Sequence, residues 1–259
     1  MDMRSNHRQR EIVEQLHRSG GSMRIHALAR ALSVTEETVR RNLRSLADGG
    51  VVERMHGGVR LVGPGSTAEP DFQARFRENP AAKRRIARHV AAMLPDEASL
   101  FLDIGSTTAH IADALRDHRR LVVVTNSVYV AFRLASRNEN RVFMAGGELR
   151  AHDGGAFGAD AMGFAANFNT DFAVLSSAGI TANGFGLFDL EEAQFSRLIM
   201  KQAATRIMAA DSSKFGREAP VAIGAPEQVD FLICDRAPPP EIAAAAARWG
   251  TEIRVTEQQ

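Results

Sequence analysis

The 259-residue chain has one cysteine, Cys234, and no apolar run of the roughly 18 to 20 residues that a membrane-spanning helix requires. A single cysteine excludes a disulfide within the chain and favours a reducing compartment, with the thiol serving as buried filler. The first ten residues, MDMRSNHRQR, contain no apolar segment, so no signal peptide is expected. These absences favour a cytoplasmic protein without a membrane partner.

Motifs for metal, nucleotide and hydrolytic chemistry are also missing. The eight histidines show no H-x-x-x-H spacing and the chain has no C-x-x-C, so no metal site is predicted. The absence of G-x-G-x-x-G after a strand and of a Gly-Lys-Ser/Thr ending argues against dinucleotide and triphosphate sites. With no Ser/His/Asp grouping evident, neither a cofactor nor a catalytic residue is predicted.

The small net charge of +1 hides an uneven distribution. Residues 1–62 hold eleven arginines, no lysine and seven acidic side chains, a net charge of +4, which leaves about −3 for the remainder. Basic charge concentrated in one segment favours a polyanionic partner there. The ordinary fractions of 44% hydrophobic and 24% charged residues indicate a globular protein, long enough for a small and a medium domain.

Three short helices are predicted at the start of the chain. The first covers Arg8 to Ser19 and ends before Gly20-Gly21. Ser22 is predicted to cap the second helix, whose apolar face consists of Ile25, Leu28, Ala29 and Leu32. Thr35 is predicted to cap the third, whose inward residues are Val39, Leu43 and Leu46.

Two short apolar strands are predicted after the third helix stops at Asp48-Gly49-Gly50. Val51–Arg54 and Val59–Val62 flank His56-Gly57-Gly58 and indicate a hairpin. Three helices with a tight turn, followed by a hairpin, are typical of a winged helix-turn-helix. That domain is predicted over residues 1–62.

The outer face of the third helix carries hydroxyl and arginine side chains. In a DNA groove, such groups reach phosphates and base edges, and an arginine fork matches guanine O6 and N7. A solvated helix surface would explain the charge alone, but the capped turn and the hairpin favour DNA binding. The predicted DNA-contacting residues are Ser22, Thr35, Glu36, Thr38, Arg40, Arg41, Arg44, Arg54 and His56.

The string TEETVRRNLRSLADGGVVERMHGGV, residues 35–59, resembles the helix-turn-helix signature of DeoR-type bacterial transcriptional regulators. Thr35 replaces the usual serine and keeps a capping hydroxyl. Asn42 replaces the usual aspartate and removes a charge that would orient Arg41. The resemblance implies a repressor that binds double-stranded operator DNA, and paired units reading repeated half-sites imply a homo-oligomer.

The sequence GPGSTAEP has no periodicity, and an interdomain linker is predicted over residues 63–78. Asn79-Pro80 then marks the start of a helix whose apolar stripe includes Ile86 and Val90. A solvated or interdomain face is predicted for its basic residues, with a second DNA contact as the alternative: Lys83, Arg84, Arg85 and Arg88.

Residues 79–259 alternate strands and helices, which predicts an α/β domain with a mostly parallel sheet. The predicted strands are Ser99–Ile104, Leu121–Val124, Arg141–Met144, Asp171–Leu175, Met208–Ala210 and Asp230–Cys234. Helices from Ala109 to Leu115 and from Val128 to Ala135 connect the first three. In open α/β sheets, ligands bind beyond the carboxyl ends of the strands.

The sequence DIGSTT, residues 103–108, closes the first of these strands. Glycine allows close backbone approach, hydroxyls donate hydrogen bonds and the following helix offers free N–H groups, which together would form a phosphate cradle. An ordinary strand-to-helix turn with capping hydroxyls explains the same string equally well.

The resemblance to the DeoR family covers the whole chain, through DIGSTT, VTNS, AGGELRAHDGG, EEAQFSR and ADSSKFGR. It implies a sensor domain related in fold to ribose-5-phosphate isomerase that binds phosphorylated sugars or polyols. GELRAHDGG, SKFGREA and DRAPPP resemble family members whose effector is glycerol 3-phosphate. The effector-binding residues implied are Asp103, Gly105, Ser106, Thr107, Thr108, Thr125, Asn126, Glu148, Arg150, Glu192 and Lys214.

An enzyme and an architectural DNA protein are the alternative classes. Isomerisation requires a positioned general base and a second acid or base, and Asp103, Glu148 and Glu192 could supply carboxylates. Nothing in their spacing brings them to one substrate, and an isomerase has no use for a winged helix. An architectural protein, in turn, has no use for a second domain of this size.

Overall fold

A computed structural model describes residues 3–19, 22–48, 51–55, 58–61 and 72–256. The chain divides into two compact units, Met1–Pro70 and Asp71–Gln259. The first unit contains α1 (Met3–Arg18), β1 (Ser22–Arg24), α2 (Ile25–Ala31), α3 (Glu36–Asp48), β2 (Val52–Met55) and β3 (Gly58–Leu61). Its three strands form an antiparallel sheet in the order β1-β3-β2.

The apolar spacing of α3 explains the core of the first unit. Val39, Leu43 and Leu46 recur at three- and four-residue intervals, so they share one face of the helix. All three are buried, in a cluster with Ile12 and Leu28 from the two preceding helices. The winged helix-turn-helix prediction is confirmed, with β2 and β3 as the hairpin.

Ser22 does not cap α2, and that prediction is wrong. It lies in β1, which pairs with β3 so that Ser22 is opposite Arg60. The residue that precedes α2 is Arg24, which makes no side-chain capping hydrogen bond. A three-residue strand is too short to show the alternation by which strands are recognised in a sequence.

The second unit is an α/β domain with ten strands and seven α-helices among its described residues. Its helices are α4 (Phe72–Arg77), α5 (Pro80–Met93), α6 (Ser106–Ala114), α7 (Val128–Leu134), α8 (Gly158–Ala165), α9 (Leu190–Lys201) and α10 (Pro240–Trp249). Its strands are β4 (Ser99–Leu102), β5 (Val122–Thr125), β6 (Arg141–Met144), β7 (Thr170–Leu175), β8 (Gly179–Thr181), β9 (Gly184–Leu187), β10 (Ala203–Ala209), β11 (Val221–Ala222), β12 (Phe231–Cys234) and β13 (Glu252–Val255).

Seven strands form one parallel sheet in the order β13-β12-β10-β7-β4-β5-β6. The chain proceeds outward from β4 to β6, then returns to the other side of β4 and proceeds from β7 to β13. The parallel α/β prediction is confirmed, and β4 lies where the strand order reverses. Such a switch point opens a crevice at the carboxyl ends of the strands.

Apolar clusters cover both faces of the parallel sheet. One includes Phe101, Leu175 and Phe195. The other includes Leu100, Ile111 and Ile207. Strands buried on both faces are apolar at successive positions, as the sequence of β4 and β12 shows. Cys234 in β12 is buried, and burial raises the pKa of its thiol to about 12, as expected for apolar filler.

The predicted linker of residues 63–78 is wrong over its second half. Phe72–Arg77 forms α4, which belongs to the second unit and packs on it through Phe72 and Phe76. Residues 63–70 lie outside the described residues. The apolar spacing of one six-residue helix is too short to separate it from a loop.

The solvated basic face predicted on α5 is wrong for Lys83, which is completely buried. Arg84 and Arg88 are exposed as expected, and Arg85 is half-buried near Asp235. A lysine within a run of arginines gives no sequence signal of burial. No helix among the described residues is long and apolar enough to cross a membrane.

Replacing Leu43 with alanine should destabilise the first unit by about 2–5 kcal/mol, because it removes a fully buried side chain from a small core. Hydrogen exchange of the α3 amides in the full chain measures this loss. The exposed neighbour is the control, and Arg44→Ala should change stability by less than about 0.5 kcal/mol. Equal protection in the two variants would contradict this account of the core.

Candidate functional site

The exposed face of α3 carries the cationic side chains expected to meet DNA. Arg40, Arg41 and Arg44 are all exposed. Arg40 is held by an ion pair, with its Nη2 2.9 Å from Oε2 of Glu36 one turn earlier. Among the described residues, no ion pair involves Arg41 or Arg44. Arg41 and Arg44 are therefore the arginines of α3 whose charge is available to DNA phosphates or bases.

Hydroxyl and amide groups organise the start of α3. The Thr35 Oγ1 accepts a hydrogen bond from the Thr38 backbone N–H at 3.2 Å and lies 2.9 Å from the Thr38 hydroxyl. The predicted cap by Thr35 is present, and the hydroxyls of Thr35 and Thr38 are hydrogen-bonded to each other. Asn42 donates to the Thr38 carbonyl at 2.8 Å and is buried, so it stabilises this turn rather than orienting Arg41.

The remaining predicted DNA-contacting residues lie outside α3. Ser22 is exposed on β1, and Arg54 lies on β2 opposite Val59 in the hairpin. The side chain of Arg54 and all of His56 lie outside the described residues. Met55, which sequence reasoning did not select, is exposed next to the hairpin tip.

The sensor residues expected at the strand ends meet at the carboxyl edge of the parallel sheet. Asp103 follows β4 and Asn126 follows β5, while Ser176 follows β7 on the other side of β4. The Oδ2 of Asp103 accepts a hydrogen bond from the Ser176 backbone N–H at 2.9 Å. This contact joins the two strands at which the sheet order reverses.

A small cavity, partly open to solvent, lies at this edge. Its lining residues are Asp103, Ile104, Asn126, Phe157, Leu187, Glu192, Phe195 and Ser196. Three of the residues implied by the family resemblance are therefore brought together. Sequence reasoning missed the apolar wall of Phe157, Leu187 and Phe195, for which the sequence gives no signal beyond apolar character.

Two polar atoms of the cavity residues are buried without a partner. The Oδ1 of Asp103 and the Oδ1 of Asn126 accept no hydrogen bond from any described group. Burial raises the pKa of Asp103 well above its ordinary value of 3.8, against the opposing hydrogen bond from Ser176. Buried polar atoms in native proteins are nearly always paired, so these two acceptors can take hydrogen bonds from a bound ligand or from water.

The turn between β4 and α6 brings the backbone close to the β7 loop. Ser106, Thr107 and Thr108 are buried in the first turn of α6. A side chain at Gly105 would place its Cβ 2.1 Å from the Ser176 hydroxyl, so only glycine fits without a shift. The Thr125 hydroxyl, at the end of β5, accepts a hydrogen bond from the Ser127 backbone N–H at 3.1 Å.

Arg150 is surrounded by three carboxylates rather than pointing its charge into the cavity. Its guanidinium pairs with Asp153, with Glu192 and with Asp189, the last at 3.2 Å. It also stacks on the Phe157 ring, 4.1 Å from the ring centroid. Burial alone would lower the pKa of Arg150, but hydrogen bonding to Asp153 and the charge of Glu192 outweigh burial and raise it.

Lys214 lies in a short 3-10 turn, Ser212–Lys214, that follows β10. The side chain is buried, contrary to the surface charge that the local sequence also allowed. Burial would raise the pKa of Asp211, but hydrogen bonds from Ser213 and the charges of Lys214 and Lys83 lower it. Glu148, by contrast, is exposed in the loop after β6 and does not line the cavity.

The described residues contain no group of three or more His, Cys, Asp or Glu side chains that could hold a metal ion. Asp103 and Glu192 line the same cavity, but Glu192 is ion-paired with Arg150. A winged helix joined to a parallel α/β unit, with unpaired polar atoms at its switch point, defines a DNA-binding regulator with a ligand site.

Comparisons with known proteins agree with this class. A model of the DeoR-like helix-turn-helix domain matches residues 8–64, and a model of the DeoR C terminal sensor domain matches residues 78–236. The chain therefore belongs to the DeoR family of transcriptional regulators, and it is not an enzyme.

Two curated relatives match most of the chain. The Escherichia coli K12 glycerol-3-phosphate regulon repressor is 37% identical, over 92% of this chain and 93% of that protein. The HTH-type transcriptional repressor CsqR of the same organism is 36% identical, over 85% and 84%. Among solved structures, ribose 5-phosphate isomerase from Methanocaldococcus jannaschii overlaps 53% of this chain and 55% of its own, with 14% identity and a TM-score of 0.40.

Asp103→Asn should make stability less sensitive to pH. A carboxyl whose folded-state pKa is raised stabilises the fold below its unfolded pKa, and this contribution is lost as pH rises through the folded pKa. The melting temperature of wild type should therefore fall relative to that of Asp103→Asn as pH rises from about 4. Thermal melts across the pH range measure the difference.

Asp171→Asn is the control of opposite sign. Hydrogen bonds from Ser99 lower the pKa of Asp171, so its contribution is present above the unfolded pKa and is lost as pH falls. The melting temperature of wild type should be higher than that of Asp171→Asn at neutral pH, and the difference should disappear at acidic pH. Parallel curves for wild type and Asp103→Asn would contradict the burial of an ionisable Asp103.

Proposed function

We propose that the chain is a repressor of a glycerol or carbohydrate catabolic regulon that a phosphorylated ligand releases from its operator. Glycerol 3-phosphate is the ligand that we favour, because the regulon of one relative is named for that compound. The observation that carries the sensor part is the pair of unpaired buried acceptors, on Asp103 and Asn126, in one cavity. Acceptors of this kind suit the hydroxyl groups of a polyol.

The hydroxyl and phosphate ends of such a ligand call for different surroundings. Asp103, Asn126 and Glu192 supply acceptors for hydroxyl groups around the cavity. The buried N-terminal turn of α6 supplies backbone N–H groups, and Ser106, Thr107 and Thr108 lie within it. We assign the positive charge for the phosphate to Lys214, which is buried in the turn after β10. The charge of Arg150 is balanced by carboxylates. Arg150 therefore acts on the cavity through two of its lining residues, Phe157 and Glu192, and Thr125 precedes a third, Asn126.

DNA recognition is assigned to the exposed face of α3. Arg41 and Arg44 supply guanidinium groups that form no ion pair with another described residue, and Arg40 becomes available when DNA competes for it with Glu36. We expect the repressor to act as a homo-oligomer, because paired helix-turn-helix units read repeated half-sites. Release requires that the ligand bind the DNA-incompetent state better, by a coupling of about 1–3 kcal/mol.

Arg41→Ala should weaken operator binding by about 1–3 kcal/mol and reduce discrimination between operator and random DNA, because it removes a fork suited to a base edge. Fluorescence anisotropy with an operator selected from a random DNA library measures both effects. Arg248→Ala, an exposed arginine on α10 of the second unit, is the matched control and should bind like wild type. A uniform loss on all DNA would instead mark Arg41 as a phosphate contact.

Glycerol 3-phosphate should weaken operator binding by wild type, whereas glycerol should not, because only the phosphorylated compound brings an anion to Lys214. Lys214→Met should abolish this response, and Lys201→Met, at the exposed end of α9, should keep it. Anisotropy titrations with glycerol 3-phosphate and several sugar phosphates provide the measurement. If none of these compounds weakens operator binding, the sensor proposal is wrong.

A further inference from the structure

The described part of the second unit contains a buried ion pair to which the proposed function assigns no role. Lys83 on α5 is completely buried, and its Nζ lies 3.9 Å from Oδ2 of Asp211, which is also buried. Burial lowers the pKa of Lys83 to about 8, against the opposing charge of Asp211. A buried ion pair costs desolvation energy and adds little net stability, so its presence invites a search for another role.

Asp211 holds the turn that presents Lys214. Its Oδ1 accepts from the Ser213 backbone N–H at 3.1 Å and from the Asn79 side-chain amide at 3.0 Å. The first contact caps the 3-10 turn, and the second joins that turn to the start of α5. A displacement of the Asp211 carboxylate would therefore move the turn that carries Lys214.

Lys83 also holds α4, the first described helix after the winged helix-turn-helix in the chain. Its Nζ donates a hydrogen bond to the Arg75 carbonyl, in the last turn of α4. The adjacent Phe76 stacks on His110 of α6, with ring centroids 4.3 Å apart, and lies 5.5 Å from the Tyr129 ring of α7. The Lys83 ammonium therefore contacts both Asp211, which caps the turn of Lys214, and the Arg75 carbonyl of α4.

We propose that Lys83 is a positioning residue of the effector site, which orients the Lys214 turn through Asp211 and couples it to the docking of α4. The inference rests on the proposed function, in which Lys214 receives the phosphate of the effector. An anion beside Lys214 places negative charge next to Asp211 and draws the Lys83 ammonium away from the Arg75 carbonyl. The last turn of α4 then shifts against His110 and Tyr129.

Tyr129 and Trp249 provide natural probes for this shift, because they are the single tyrosine and the single tryptophan of the chain. Tyr129 lies against Phe72 and Phe76 of α4, at ring distances of 6.0 and 5.5 Å. Trp249 on α10 packs against Phe185 instead. Ring-labelled full-length protein therefore gives one NMR signal that reports on α4 and a second that reports on the overall fold.

Glycerol 3-phosphate should shift the Tyr129 signal of wild type at saturation and leave that of Trp249 in place. Lys83→Met should weaken binding of glycerol 3-phosphate in calorimetry by about ten-fold. It should also abolish the Tyr129 shift when the ligand is raised to saturation. If Lys83 had only a structural role, Lys83→Met would lower stability, but ligand bound at saturation would still shift the Tyr129 signal. The matched control is Lys201→Met, which should show the affinity and the shift of wild type.

Lys83→Met leaves the buried Asp211 carboxylate without its ion pair and could fail to fold. Lys83→Met combined with Asp211→Asn removes both charges of the pair, so it avoids the unpaired buried carboxylate of the single variant. This double variant should keep the Trp249 signal of the folded protein and still show no Tyr129 shift. If it retains a wild-type shift, the inference is overturned.

The two proposals fail in different ways. If wild type binds no glycerol 3-phosphate in calorimetry, the proposed effector is wrong and the inference falls with it. If wild type binds it and Tyr129 does not respond, the role of α4 is wrong and the proposed function stands. If Lys83→Met binds and responds as wild type does, Lys83 has no positioning role.

Discussion

The parallel direction of the seven strands is the constraint on which the second unit depends. Because all seven run the same way, every strand ends at one edge of the sheet, and the polar residues after them meet there. The reversal of strand order at β4 opens the crevice at the ends of β4 and β7, which the hydrogen bond from Ser176 to Asp103 joins. The order and direction of the strands therefore determine where the cavity lies, whichever side chains line it.

Some polar groups at this edge are paired and others are not. Arg150 forms ion pairs with carboxylates, and the Lys83 ammonium lies 3.9 Å from Oδ2 of Asp211, an atom that accepts no hydrogen bond from any described group. The Oδ1 atoms of Asp103 and Asn126 remain without partners in the cavity. Because these two buried acceptors have no partner among the described groups, they are suited to accept hydrogen bonds from the hydroxyl groups of a small ligand.

Sequence patterns predicted the elements whose signals are long or regular. Val39, Leu43 and Leu46 mark α3 unambiguously, and the DIGSTT string marks the end of β4. Short elements were missed because three residues of β1 or six of α4 show no period. The burial of Lys83 and the pairing of Arg150 depend on residues far apart in the chain, such as Asp211 and Glu192, so no local pattern could reveal them.

In the proposed function, the ligand and the operator each favour a different state of one protein. Linkage requires the coupling to be reciprocal, so the operator must weaken ligand binding by the same factor by which the ligand weakens operator binding. Calorimetry of glycerol 3-phosphate binding, with and without saturating operator DNA, measures that factor directly. We expect glycerol 3-phosphate to bind more weakly to the operator complex than to the free protein; an equal dissociation constant in both conditions would show that ligand and operator do not compete.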